Sequence, residues 1–373
     1  MPTTIPLILW SKSHAETSWT CEREEYWAYV WGGTGLRRTE AQFDLELGSI
    51  IHEAAAVVAR GLMPGHTPLR HVSGVSEAVR TLCISLQKDD ASTQQWIAIA
   101  EGLVLACATR ILPTILQEFE IVDVEVPLAY PIDASKGIWF VCKSDLILRH
   151  RVDGSLWYWE HKSTGTLDAK WINSWNRAVQ IHSGIKAAER RYGAFAGCIV
   201  LGWYKGRKDS WSDPPIQVSP FAWGWRKPGA PGIVEDQVAY ERPKYYKGWE
   251  RFAVTDLESW VAKMPTDILA KQFTRTPPIT IREDLVTDFF EQIRYRANRI
   301  IEVRAKLAAV ATAEDVRAVL NEYFPQNFAQ CDPAWGNRRC WALEACWESW
   351  VQNDPVGSGV YVRNSGEHRE EYE

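Results

Sequence analysis

The sequence predicts an α/β protein, a sheet core wrapped by helical segments at both ends. Three observations predict it. Apolar residues at helical spacing fill the first third of the chain, between Ala15 and Glu118. Strand-like runs then follow one another from Phe119 to Lys162, and a helix and a further strand-like run come after them. Helical spacing returns at Glu283–Ala311.

The elements are read in order. Residues 15–36 form an amphipathic helix carrying Trp19, Tyr26, Trp27 and Val30, ended by Gly32, Gly33 and Gly35. A second helix spans Ala41–Gly61, a loop spans Gly61–Gly74, and two more helices span about 75–88 and 93–118. Phe119–Pro131 reads as a strand. Ile138–Arg149 and Ser155–Lys162 read as two more, separated by an Asp153-Gly154 turn. A helix at Asn173–Tyr192 and a strand at Ala196–Tyr204 follow; a weaker strand is read at Ile216–Trp225. Pro, Gly and Lys crowd 206–248, which predicts a long loop. Helices are expected at Trp249–Met264, Glu283–Ala311 and Ala313–Tyr323, and a disordered tail after Asn353.

With 373 residues, 46% of them hydrophobic, the chain is neither mainly disordered nor collagen-like. No apolar run reaches the roughly eighteen residues a membrane helix needs. Met1–Trp10 lacks a basic flank and a small-residue cleavage site, so a cytoplasmic protein is expected. The net charge of −5 gives no global sign of nucleic acid, but a local basic groove can sit on an acidic body. Twenty tryptophans either enrich the core or stack on bases.

The central strands carry the chemistry. Asp145 lies in Phe140-Val141-Cys142-Lys143-Ser144-Asp145, and Glu160 and Lys162 lie in Trp159-Glu160-His161-Lys162. Residues two apart share a strand face, so Glu160 and Lys162 project together and His161 points away. If the strands pair as a hairpin, Asp145 comes close to Glu160. Such charges on a buried strand face need partners, and a divalent cation is one that accepts carboxylate oxygens. An exposed Glu–Lys pair has the same spacing, as does Asp168-Ala169-Lys170, expected in a loop.

In this order the residues resemble the PD-(D/E)xK nuclease superfamily, and within it the RecB-type exonucleases. Gly48 and His52 are similar to the family's Gly-x-x-x-His helix, Asp145 to its strand aspartate, Glu160 and Lys162 to its Glu-x-Lys, and Gln180 to its helix glutamine. Two positions depart: Cys142-Lys143-Ser144 stands where the family often has glycine, and Gly184 stands where it has a tyrosine. The resemblance implies a restriction-endonuclease-like core, a mixed central sheet flanked by helices. It implies Mg²⁺ or Mn²⁺ held by His52, Asp145, Glu160 and the His161 backbone carbonyl. Asp145, Glu160, Lys162 and Gln180 are the implied catalytic set, with Lys162 orienting the attacking water.

Eight cysteines in a cytoplasmic protein do not imply disulfides. Cys83, Cys107, Cys142 and Cys198 lie among apolar residues and read as core. By its spacing from Asp145, Cys142 is expected on the opposite strand face. Cys331, Cys340 and Cys346 crowd together near the C-terminus, and Cys21 stands alone near the N-terminus. Three thiols are one short of a tetrahedral site; they are also compatible with unrelated thiols or with zinc closed by a histidine. One subgroup of RecB-type nucleases, with AddB-like proteins and CRISPR-associated exonucleases, places one cysteine before the core and three after it. That resemblance implies a 4Fe–4S cluster on Cys21, Cys331, Cys340 and Cys346, with Zn²⁺ as the alternative. It would join the helical N- and C-terminal extensions.

The expected organisation is then a helical region at 1–118 with Cys21 and His52, a nuclease core at 119–226, a helical region at 227–352 with the other cluster cysteines, and the tail at 353–373. From Lys186 to Arg251, twelve Lys/Arg stand against seven Asp/Glu, interleaved with Trp203, Tyr204, Trp211, Trp223, Trp225, Tyr245, Tyr246 and Trp249. Cations among flat rings suit single-stranded DNA; a solvated loop over an aromatic core has the same composition. The resemblance implies a metal-dependent exonuclease acting on DNA ends in recombination or repair, in a bacterial cell or encoded by a phage. No Gly-x-x-x-x-Gly-Lys-Ser/Thr loop occurs, so unwinding would need a helicase partner. The alternative is an inactive DNA-binding or assembly protein of the same fold, for example in CRISPR adaptation.

Overall fold

A computed structural model describes residues 8–39, 43–63, 73–209, 216–227, 238–241, 248–327, 331 and 340–364. The expectations for Ala41, for most of the 61–74 loop and for much of 206–248, including Trp211, Tyr245 and Tyr246, lie outside these residues, as does the tail from 365 onward.

The chain is α/β, with a mixed six-stranded sheet between helical layers. β1 (Ile8–Trp10), β3 (Phe119–Asp133), β4 (Ile138–His150), β5 (Leu156–Thr164), β6 (Phe195–Tyr204) and β9 (Phe273–Arg275) form it. β3 and β4 are antiparallel, as are β4 and β5. β5 and β6 are parallel, and helix α5 (Val179–Tyr192) connects them as a crossover. β1 pairs parallel with the start of β4, and β9 closes the other edge antiparallel to β6.

Each face of the sheet has its own core. On one, α5 buries Ile181, Ile185 and Ala188, and the long helix α6 (Glu283–Ala309) buries Val286, Phe289, Ile293, Ala297 and Ile300. That three-and-four spacing is why both segments are helical. The same core holds Trp10, Tyr26, Trp27 and Leu36 from the start of the chain and Tyr323, Ala345 and Tyr361 from its end. On the other face, α2 (Phe43–Gly61) buries Leu47, Ile51, Ala55 and Ala59 in one stripe. It packs there with α3 (Ser73–Ser85) and α4 (Asp90–Ala106). Trp10, Trp159, Trp203 and Trp260 are fully buried, so much of the tryptophan excess is core.

Several expectations change. The stretch Asp90–Glu118 is long and apolar enough to cross a membrane, but half of its most apolar window is buried inside the protein. The first helix starts at Lys12 and breaks at Cys21, whose backbone is extended. The helix read at Asn173–Tyr192 is interrupted at Ala178 for the same reason. Ile216–Trp225 divides into two short strands, Ile216–Val218 and β7 (Trp223–Arg226), neither in the central sheet. Residues 249–264 hold a strand, β8 (Glu250–Ala253), before a helix at Leu257–Lys263. Disorder beyond Asn353 fails as far as Asn364, because β10 (Tyr361–Arg363) pairs with β2 (Leu36–Arg38).

Candidate active site

The site begins as a fork in the sheet. β4 and β5 pair only from Leu146↔Trp159 to Arg149↔Leu156. Beyond that, β5 continues beside β6, and β4 meets β1 only at Ile138–Phe140. Asp145 and Glu160 sit where the strands part. Parting leaves strand backbone groups without a ladder partner, and these must be satisfied some other way. Asp145 does this: its Oδ2 accepts from the His161 backbone N–H at 2.5 Å.

Around the fork the elements deliver charged groups. α2 brings His52, whose Nδ1 lies 3.4 Å from Asp145 Oδ1. It approaches closely because a Cβ on Gly48 would stand 3.2 Å from Ser163 Oγ. Lys162 Nζ pairs with Glu160 Oε2 at 2.7 Å. Glu160 is only 2% exposed. Its other partners are the Tyr158 hydroxyl at 3.0 Å and, from the first turn of α5, Gln180 Nε2 at 3.5 Å. The sequence-predicted His52, Asp145, Glu160, Lys162 and Gln180 therefore converge.

His161 turns away, as the alternation requires: its ring packs 5.1 Å from that of Trp203. Burial lowers its pKa to about 4, so the ring is neutral at ordinary pH. Asp168 is excluded, since it caps a short helix by accepting from the Trp171 N–H. Cys142 packs against the core that holds Ile138 and Phe140, while Asp145 lines the cleft beside α2, on the other side of the strand. The alternation slips by one residue before Ile147, which shares the core of Ile138 and Phe140.

Electrostatically the group is coupled. Burial pushes the Asp145 carboxyl up, but the His52 ring beside it, through charge and hydrogen bond, and then the Lys162 charge outweigh it and hold the group well below the carboxylate range. Burial, then the Asp145 charge, raises Glu160. Burial alone would lower Lys162, but Glu160 and Asp145 raise it above its ordinary value, so it stays protonated.

A cleft of about 630 Å³ opens between α2 and the fork. It exposes residues that the sequence reading missed: Glu53, Arg60, Glu125 and Lys143. Glu125 Oε2 pairs with Lys143 Nζ at 3.1 Å. Its φ is +53°, a left-handed conformation that costs a non-glycine residue about 1–3 kcal/mol and clusters at functional sites. Burial and the neighbouring Asp145 raise its carboxyl. Nothing in the sequence marks it, because Asp123 and Glu125 alternate like any solvent-facing strand pair.

Gly184 has a structural reason. A Cβ there would come within 2.7 Å of the Tyr158 hydroxyl. The phenol that reaches Glu160 comes from β5, and the glycine on α5 leaves room for it.

The four cysteines of the second predicted site, Cys21, Cys331, Cys340 and Cys346, are free thiols within electrostatic reach of one another. The charge of Cys21 acts on the other three, and that of Cys331 on Cys340 and Cys346. Burial raises Cys340 and Cys346 to about 12. The chain's ends are joined here by other residues. Buried Arg23 donates to the Phe324 carbonyl at 2.7 Å and to Asn321 Oδ1 at 2.8 Å, and Asn327 donates to the Thr20 carbonyl at 2.9 Å. Arg38 donates to the Trp341 carbonyl. Cys83, Cys107 and Cys198 are core thiols, as expected.

Both donor sets suit metal by chemistry: carboxylates and imidazole for a hard cation, four thiols for zinc or iron–sulfur. Among the described residues, however, no group of three or more His, Cys, Asp or Glu side chains stands ready to hold an ion. No family model matches the chain, and no curated protein matches it.

Proposed function

We propose that the chain is a metal-dependent DNA exonuclease of the PD-(D/E)xK type, with a restriction-endonuclease-like core. The observation that carries this reading is the fork, where Asp145, Lys162 and His52 line one cleft and buried Glu160, held by Lys162 and Gln180, lies directly behind it. His52, Asp145, Glu160 and the His161 carbonyl would hold Mg²⁺ or Mn²⁺. Bound there, the ion polarises the phosphodiester and acidifies a coordinated water. Lys162 is protonated and orients the water or stabilises developing charge. Gln180 and Tyr158 hold the Glu160 carboxylate in place. Cys21, Cys331, Cys340 and Cys346 would hold a 4Fe–4S cluster, or Zn²⁺ in its place.

The test is degradation of end-labelled single- and double-stranded DNA by the full chain, purified anaerobically, with Mg²⁺ or Mn²⁺. The expected result is metal-dependent loss of label that Lys162→Ala slows by at least about 100-fold. DNA left intact by the wild type, or degraded equally by the variant, sinks the reading. Iron and zinc contents of the same preparation distinguish the two cysteine ligands.

A second reading, a DNA-binding or assembly protein without catalysis, is favoured by one observation. The carboxylates already have protein donors: Asp145 has His52 and the His161 N–H, and Glu160 has Lys162 and Tyr158. An ion would have to open some of these contacts.

A further inference from the structure

Beyond β6 the chain builds a second sheet. β7 is its middle strand, flanked antiparallel by Val238–Ala239 and by β8. The register sets Arg251 opposite Trp225 and Ala253 opposite Trp223. One rung further, Trp249 comes level with Lys227. Alternation puts these residues on one face and Gly224 and Phe252 on the other. The Gly224–Phe252 face turns inward. Phe252 and Trp260 rings meet at 5.7 Å, and a Cβ on Gly224 would lie 2.8 Å from the Trp260 ring.

The other face interleaves cations and rings. Arg251 Cζ lies 4.5 Å from the centre of the Trp223 ring, and Lys227 Nζ lies 5.7 Å from that of Trp249. Lys227 and Arg251 are exposed; Trp223, Trp225 and Trp249 are half-buried. The rings are thus anchored at one edge, with the cations in solvent beside them.

We propose that this face binds single-stranded DNA, with a base against Trp249 and phosphates at Lys227 and Arg251. Duplex DNA would use the cations but not the rings, because its bases are stacked inside. An acidic peptide would likewise leave the rings unused. Unstacked bases on a charged backbone use both. Position agrees with this. The second sheet is reached from the end of β6, where the Lys205 N–H donates to the Thr164 carbonyl at 2.9 Å, two residues beyond Lys162. The module therefore leaves the central sheet at the end that holds the cleft. The suggestion that it feeds the cleft rests on the nuclease reading; binding itself does not.

The experiment measures binding of a labelled oligothymidylate of about 16 nucleotides to the full chain in EDTA, so that cleavage does not enter. Lys227→Gln combined with Arg251→Gln should weaken binding about tenfold and flatten the salt dependence by about 1.4 in logarithmic slope, the value for two lost phosphate contacts on a single strand. Trp249→Leu should also weaken it about tenfold, while Trp249→Phe keeps most of the affinity, which a purely structural tryptophan would not predict. The proposal is overturned if these variants bind like the wild type, if duplex of equal length binds as well as the single strand, or if the wild type ignores oligothymidylate at low salt. If the strand binds here but is never cut with Mg²⁺ or Mn²⁺, the face stands and the nuclease reading falls.

Discussion

The cleft and the cysteine corner both gather reactive side chains from distant parts of the chain, but they hold them differently. In the cleft the reactive groups hold one another: His52 meets Asp145, Lys162 meets Glu160, and Tyr158 and Gln180 complete the carboxylate's shell. In the cysteine corner burial presses the thiols toward their neutral form, and other residues do the joining. Arg23, Arg38 and Asn327 tie the two ends together, and β2 pairs with β10. The comparison teaches that a cluster would add to a contact already made. The sequence resemblance implied instead that the cluster itself would join the two helical extensions.

The comparison breaks first, if it breaks, at Lys162. Lys162→Ala leaves Glu160 buried beside Asp145 without its cation, which costs about 3–5 kcal/mol while the carboxylate is ionised. The Glu160 carboxyl is already raised, and removing Lys162 raises it further. A raised carboxyl stabilises the fold below its unfolded pKa, and that contribution is lost as pH rises through the folded value. Urea unfolding in EDTA should therefore show a larger loss at pH 8 than at pH 5. An equal or smaller loss at pH 8 would mean that the pair is no more than a solvated contact.

One group behind the fork behaves like the thiols. His161 is 3% exposed, and burial keeps it neutral, with a pKa of about 4. Its folded value is depressed, so the stability it contributes is present above the ordinary pH of about 6.5 and lost as pH falls toward 4. That window is worth about 3 kcal/mol. Asp145 titrates below it and does not confuse the reading. Between pH 6.5 and 4 in EDTA, His161→Phe should lose less stability than the wild type, the raised Glu160 and Glu125 carboxyls acting in the opposite direction and equally in both proteins. An equal loss in the two proteins would place the acid-sensitive group elsewhere.

The corner is tested by comparing Arg23→Ala with Cys346→Ala in metal-free protein. Arg23 is 3% exposed, and its loss strands the Phe324 carbonyl, at a cost of about 2–3 kcal/mol. Cys346→Ala removes one small buried group, worth about 1 kcal/mol. The arginine should be the more costly of the two by thermal unfolding. The opposite order would make the thiols the staple after all.

Much of this was legible in the sequence because it carries a period. β3, β4, β5 and β6 and the helices around them follow their apolar spacing, and Asp145, Glu160 and Lys162 follow from the two central strands. What was not legible is tertiary. β1 and β9 have three residues each, too few to show a period, and they form because β4 and β6 offer them an edge. The breaks at Cys21 and Ala178 have no proline or glycine to announce them. Glu125 lines the cleft from a left-handed backbone position that no residue type in the sequence announces.

Gly184 gives the finest test. It looked like a missing tyrosine, and the structure turns it into space for Tyr158, whose hydroxyl reaches Glu160 from β5. Burial raises that phenol well above its ordinary value, so it stays protonated and donates. Tyr158→Phe removes one buried hydrogen bond, worth about 1 kcal/mol. The bond lowers the Glu160 carboxyl, so without it that group titrates higher still. On the nuclease reading the acidic limb of the pH–rate profile should then move to higher pH, while unfolding changes little. Gly184→Ala should move the limb the same way, because the new methyl displaces the ring rather than removing its hydroxyl. If Gly184→Ala shifts the limb and Tyr158→Phe does not, the glycine serves packing alone, and the phenol has no part in tuning Glu160.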